Sequence, residues 1–499
     1  MLAKLLKNII SPALILALLL GMTGCGAKKE AAAQPGESEQ SQTVQPTMQT
    51  ASVQPESFTM LYDSESSCNP YTTDSDNNLL LTQLMYEGLF VLSGSFEPEN
   101  ALCQEYSTGD GMEYDFKLLP GVKFSDGAEL TADDAAYSIA VAKDSDRYAG
   151  RLSCIDECYA TDSQTLHVKL NEANYLLPSL LDVPIVEYET GYDSVPIGTG
   201  AYVLSEGELV PAQTYRGKAA QKHISLIALT TSYAEAFSTG QLDLIRDEVC
   251  GDEDIVFSGN FEMHYYDTTV MDYIGFNTYN YFLSIDEIRS GIAALVDRDA
   301  IVQQIFMGHA VASDTVISPR SWLYDSAWSG DAKAGPELIS RAMSALSMAD
   351  SDHDGVLETP EGRAFSIDFI VNSENPYKVR AAQRIMTELQ RLGIGVKLRK
   401  LDWKDYVDAL ESGDFDMYYA QVRLTADFDV SELVGYMGRH NYGDYYNDEY
   451  DELIRAYLAA PEGAARAAAA KAMCDRIRET DPIVPILFRQ HAAVLRRTG

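Results

Sequence analysis

The residues from Asp350 to Glu361 read DSDHDGVLETPE, a run of acids at regular spacing. Counted from Asp350, positions 1, 3 and 5 are Asp350, Asp352 and Asp354, and position 6 is Gly355. Val356 at position 7 offers a carbonyl, Glu358 stands at position 9, and Glu361 at position 12 can chelate with both oxygens. This is the ligand plan of a calcium loop, in which hard oxygens wrap the cation and glycine permits the sharp turn. Carboxylates packed this closely repel one another unless a cation or water intervenes. Two readings stay open: structural Ca²⁺ held at weak, extracellular-type affinity on the order of 10⁻⁴–10⁻³ M, or a solvated acidic turn. Helical spacing over residues 335–348 precedes the loop, and a strand, AFSIDFIVN, comes after it. The helix-loop-helix pair of a calcium sensor is therefore not expected, and a brace is.

Other chemistry is sparse. The seven histidines are scattered, and no nucleophile elbow, HExxH, Walker loop or dinucleotide fingerprint occurs. Carboxylate pairs carry no specificity in a chain with 75 acidic residues. No enzyme is expected. Apart from Cys25 the cysteines are Cys68, Cys103, Cys154, Cys158, Cys250 and Cys474, without zinc-site spacing. Cys154 and Cys158 sit at a strand entry, where i and i+4 lie about 13 Å apart, whereas a disulfide needs Cα atoms within about 7 Å. A helical segment would bring them closer. Buried free thiols are the expectation.

The elements that must position these groups read as mixed α/β. YDFKLLPGVKF alternates faces and reads as a strand pair around Leu119-Pro120-Gly121. Thr131 is placed to cap a helix with Asp133 and Asp134 in its first turn. Asp286 opens a second helix, and Asp297–Met307 continues as another. Asn375–Leu392 is helical and stops at Gly393. Strand Gly395–Lys400, helix Trp403–Leu410 and strand Phe415–Val422 come next, an order that favours parallel strands.

Residues 1–25 carry Lys4 and Lys7, an apolar stretch broken by Pro12, and Met22-Thr23-Gly24-Cys25. This is read as a signal peptide ending in a lipobox-like element, with Cys25 as the lipidated residue. Residues 26–57 are rich in Ala, Gln, Ser, Glu and Pro and are expected to be a disordered tether. The expected location is the outer face of the cell membrane, on the extracellular or periplasmic side. The net charge of −37 leaves no basic face for nucleic acid.

Six segments, in order, resemble the extracellular solute-binding proteins of family 5, the oligopeptide, dipeptide and nickel type of ABC importer. They are CNPYTTDSDNNLLLTQLMYEGLF, YDFKLLPGVKFSDGAELTADDAAYSI, IGTGAYVL, the run from IGFNTYNYF to VQQIFMG, GDFDMYYA and ADFD. TYRGKAAQKHISLIAL lacks the Asn-Pro-x-Tyr-Trp landmark of many relatives, and Leu424 stands where oligopeptide binders often place Trp.

The resemblance implies a two-lobed periplasmic-binding-protein-like clamp, class II, of the large peptide-binding type with an extra subdomain. Lobe I would comprise residues 58–85, 191–269 and 476–499, the subdomain 86–190, and lobe II 270–475. The clamp would act as a monomer, closing on an oligopeptide and delivering it to ABC permease subunits. The alternatives are an occupancy sensor for a membrane signalling protein, or a receptor for a nickel chelate, haem, opine or sugar. By the same resemblance Asp427 would meet the ligand ammonium, and Arg423 to Thr425 would supply backbone groups. Trp403 and Tyr442, with Tyr445 nearby, would line the mouth, and Arg423 would meet a ligand carboxylate or an internal partner.

Overall fold

The computed structural model describes residues 58–228, 232–252, 257–328, 335–445 and 447–497. The leader with Cys25 and the tether through Ser57 lie outside them. Among the described residues no helix is long and apolar enough to cross a membrane.

The chain opens on β1 (Phe58–Leu61) and then builds a subdomain. Strands β2 (Cys103–Thr108), β3 (Glu113–Leu118), β4 (Ile155–Asp162) and β5 (Thr165–Leu170) form an antiparallel sheet ordered β2-β3-β5-β4. β3 turns Tyr114, Phe116 and Leu118 inward and its other residues outward, the alternation of a sheet buried on one face. Helix α1 (Ala132–Lys143) packs on this sheet, and its start is fixed where the Asp134 carboxylate accepts the Thr131 N–H at 2.8 Å. The strand expected beyond Leu119-Pro120-Gly121 does not form. Pro120 has no N–H to give a ladder, Gly121 turns at φ 73°, and Val122–Phe124 contributes only a bridge from Lys123 to Glu129. β3 pairs with β2 and β5 instead.

The chain then returns to β1. Strands β6 (Tyr202–Ser205), β7 (Glu208–Pro211) and β8 (Ile224–Ile227) complete a sheet ordered β1-β8-β7-β6. Phe58 and Ile224 of this sheet share one hydrophobic cluster with Phe116, Ile139 and Leu166 of the subdomain. Sheet and subdomain therefore stand on a common core.

One long strand carries the chain across to the second lobe. β9 (Leu244–Asp247) leads to β10 (Phe261–Phe276). Helices α2 (Asp286–Leu295), α3 (Gly335–Ala345), α4 (Pro376–Gln390), α5 (Trp403–Ser412), α6 (Asp448–Leu458) and α7 (Ala464–Thr480) come after it. Strands β11 (Ala310–Ala312), β12 (Ser366–Asn372), β13 (Gly395–Leu401) and β14 (Met417–Arg423) lie among them, and β15 (Ile483–Arg496) brings the chain back. The sheet runs β9-β15-β10-β14-β12-β13, with β11 on β15. β12 is parallel to both β13 and β14.

The expected strand, helix and strand order is present here, and Asn375 caps α4 by accepting the Tyr377 and Lys378 N–H groups at 3.0 Å. β10 and β15 are antiparallel, with a bulge: Asp267 faces Gln490, and the next partners are Met271 and Phe488. A bulge bends a strand and sharpens its twist. Ala493 and Leu495, before it, pack in the first-lobe core. Ile274, Phe276 and Val484, beyond it, pack in a second-lobe core with Phe369 and Ile385.

Beside the bulge Arg489 reaches Asp272. The pair is bidentate at 2.7 and 2.8 Å, 2% and 0% exposed, and the Tyr419 hydroxyl adds a bond to Asp272 at 2.9 Å. A third core joins Tyr273, Tyr418 and Tyr457 of the second lobe to Leu92, Phe96 and Leu176 of the subdomain. Phe96 meets Phe428 edge-on at 6.0 Å. All six described cysteines are free.

Candidate functional site

A cavity of about 1640 Å³ lies between the subdomain, the bulge and the second lobe. Its floor is the end of β14. From Met417 to Tyr419 this strand lies between β10 and β12. From Ala420 to Arg423 its only strand partner among the described residues is β10, which leaves the other edge of Ala420–Val422 open. Ala420 to Arg423 line the cavity.

The backbone expected to meet a ligand at Arg423–Thr425 is largely spent. Leu424 donates its N–H to the Thr269 carbonyl at 3.1 Å and accepts the Thr269 hydroxyl at 2.6 Å. The Thr425 carbonyl accepts the Phe428 N–H at 3.0 Å. The open edge sits earlier, over Ala420–Val422.

Asp427, Arg423, Thr425, Trp403 and Tyr442 all line this one cavity. The Asp427 carboxyl is 2% exposed. Its Oδ1 accepts the Thr425 hydroxyl at 2.5 Å and the Asp429 N–H at 3.3 Å. Its Oδ2 takes only the Asn174 amide, at a long 3.4 Å. Burial raises its pKa, against the Thr425 bond and the Arg151 charge. Burial and the Asp427 charge raise Asp429 to about 6. Two neighbouring acids held in this way favour a cation between or beside them.

Half-buried Arg423 ends β14, and burial with Arg246 lowers its pKa to about 10. Trp403 opens α5, donates its backbone N–H to Glu374 at 3.1 Å and lies 6.1 Å from the Tyr406 ring. The Tyr442 hydroxyl is 3.2 Å from His440 Nδ1, and its ring is edge-on to Tyr418. Tyr445 is not at the mouth. Its ring packs against the Arg289 guanidinium at 4.8 Å, because that fully buried cation is fixed on the Thr480 and Asp481 carbonyls at the end of α7 and on the Leu283 carbonyl before α2.

The sequence gives no sign of several wall residues. Asn174 is held by its backbone N–H on the Gly111 carbonyl and its Oδ1 on the Leu176 N–H. Arg151 is paired with Asp182. Glu248 lies 3.3 Å from His491, whose imidazole burial lowers to about 4. Lys378 lines the wall from the first turn of α4. Only Lys378 leaves a hint, a cation on an otherwise apolar helix face.

The acidic loop stands apart from the cavity. Asp350, Asp352, Asp354 and Glu358 each bring a carboxylate oxygen within 4.8 Å of the others. Oxygens on opposite sides of Ca²⁺, at about 2.3–2.6 Å from the ion, span a similar distance. Gly355 adopts φ 91° and donates its N–H to Asp350 Oδ2 at 3.1 Å, and Val356 donates to Asp354 at 2.8 Å. Asp350 Oδ1 is buried without a hydrogen-bond partner, which a cation would supply. Glu358 leans toward Ser351, bonding its N–H and hydroxyl at 3.0 and 2.8 Å. Glu361 is not in the group: a turn closed by the Gly362 N–H on Thr359 carries it out to solvent. The chain enters a strand rather than a second helix, so position 12 is not swung back over the loop.

The profile of Bacterial extracellular solute-binding proteins, family 5 Middle, matches residues 97–442. Oligopeptide-binding protein AppA of Bacillus subtilis is 22% identical over 423 residues, 77% of each chain. The structure of AppA with a nonapeptide superposes with a TM-score of 0.61 at 19% identity, covering 88% of this chain and 94% of AppA. NikA of Brucella suis with Fe(III)-EDTA superposes with a TM-score of 0.72 at 19% identity, covering 88% and 95%.

Proposed function

Because the chain belongs to the bacterial extracellular solute-binding proteins of family 5, substrate-binding components of ABC transporters, we propose that its solute is an oligopeptide. The observation that carries this reading is the cavity. At about 1640 Å³ it exceeds the roughly 300–1,000 Å³ of ordinary small-molecule sites, and its floor is the open edge of β14. A peptide adds to such an edge as a further strand, its backbone supplying affinity whatever its side chains. The α-ammonium goes to Asp427, replacing the long Asn174 contact with a charge-assisted bond. Trp403 and Tyr442 offer ring faces to side chains. The nonapeptide bound by AppA supports this choice over the Fe(III)-EDTA bound by NikA.

Native mass spectrometry of protein purified from a peptide-rich source is expected to show a co-purified peptide ladder. A single defined small molecule would overturn the reading.

The same proposal assigns the chain binding without catalysis, action as a monomer, delivery to ABC permease subunits and lipid attachment at Cys25. It also assigns structural Ca²⁺ to the acidic loop, held by Asp350, Asp352, Asp354 and Glu358. The Leu357 N–H is tied to the Gly393 carbonyl at 2.8 Å, so a filled loop would brace the second lobe. At about 10⁻⁴–10⁻³ M affinity, 2 mM calcium adds about 0.6–1.8 kcal/mol. The thermal midpoint should therefore rise with calcium, and Asp352→Asn with Asp354→Asn should abolish the rise. An unchanged wild-type melt would leave a solvated acidic turn.

A further inference from the structure

Lys378 occupies the third position of α4 and lines the cavity. Its side chain is only 8% exposed. Among the described residues its ammonium has no hydrogen bond and no ion pair. Two other buried cations on that wall are paired: Arg489 has Asp272, and Arg151 has Asp182.

The charged groups facing Lys378 are Arg489, Asp272, Asp252 and Glu248. Asp272 is taken by Arg489 and Tyr419. Asp252 accepts the Asn375 amide at 3.0 Å, and Glu248 leans on His491. Burial, with Arg489 second, lowers the ammonium to about 8. The first-turn N–H groups of α4 at Tyr377 and Lys378 are already bonded to Asn375. What remains at this corner is a buried ammonium beside a large cavity, with acids in its surroundings but none within ion-pair distance among the described residues, and a buried charge is costly until it is paired and hydrogen-bonded.

We propose that Lys378 seats a carboxylate of the solute. This deepens the oligopeptide reading and rests on it. The cavity then has a seat for each sign, Asp427 for the ammonium and Lys378 for the carboxylate. A solute carrying both is oriented by its own charges.

The test uses two pools of tri- to hexapeptides with Ala, Gly, Ser and Val side chains, one ending in free carboxylates and the other in amides. Retention by wild type, Lys378→Met and Lys378→Arg is read by equilibrium dialysis and mass spectrometry. Wild type is expected to retain the acid pool at least tenfold better than the amide pool. Lys378→Met should retain both alike, at the amide level, and Lys378→Arg should keep part of the preference. Equal retention of both pools by wild type, or an undiminished preference in Lys378→Met, overturns the seat and leaves the peptide reading standing. Retention of neither pool overturns the peptide reading, and the seat falls with it. Removing this buried charge should not lower the thermal midpoint. If Lys378→Met fails to fold, the wild-type comparison and Lys378→Arg decide.

Discussion

Asp272→Asn is expected to destabilise the protein by about 3–5 kcal/mol, the range for removing one partner of a buried ion pair. Asparagine keeps the shape and loses the charge, so Arg489, 2% exposed, is left as an uncompensated buried cation. The Tyr419 hydroxyl and the Cys250 carbonyl also bond this pair, so strands β14, β10 and β15 lose a common fastening. Chemical denaturation, monitored by the shift in midpoint, measures the loss. Asp272→Leu combined with Arg489→Met should recover most of it, because apolar groups of similar volume need no counter-charge. If Asp272→Asn leaves the midpoint unmoved, solvent already compensates Arg489 and the fastening is not electrostatic.

Asp427→Asn is expected to weaken binding of a peptide with a free α-ammonium at least tenfold, about 1.4 kcal/mol. The substitution keeps an oxygen to accept the Thr425 hydroxyl and removes the charge facing the cavity. An N-acetylated version of the same peptide carries no ammonium, so its affinity should be the same for wild type and variant. Calorimetry on the four combinations isolates the charge from any general loosening of the wall. Unchanged affinity for the free-amine peptide would remove the assignment and leave Asp427 as an internal clamp on Asn174.

The parts of the molecule legible in the sequence are those fixed by neighbours along the chain. Asn375 capping α4, the glycine that ends it, and the strand, helix and strand from Gly395 to Arg423 come from local chemistry. The acidic loop is legible for the same reason up to Glu358. Glu361 departs because a strand, β12, succeeds the loop and no second helix returns position 12 to the other acids. The segment after Pro120 alternates like a strand, yet its partners lie elsewhere and the turn decides.

The site shows the limit most clearly. Asn174 reaches Asp427 across 253 positions, and Thr269 occupies the backbone of Leu424 across 155. No spacing rule reports such contacts. Asp427 and Trp403 are placed at the cavity by family likeness, while Lys378 leaves only the faint hint of a cation on an apolar helix face, and its meaning comes from what the fold puts around it.

The free cysteines bear on how the protein reaches its working state. Burial raises the thiols of Cys103, Cys154, Cys158 and Cys474 to about 12. At neutral pH almost none of each is thiolate, the form that attacks a disulfide or an oxidant. Among the described residues the fold therefore rests on packing and hydrogen bonds, with its thiols held in the unreactive protonated form.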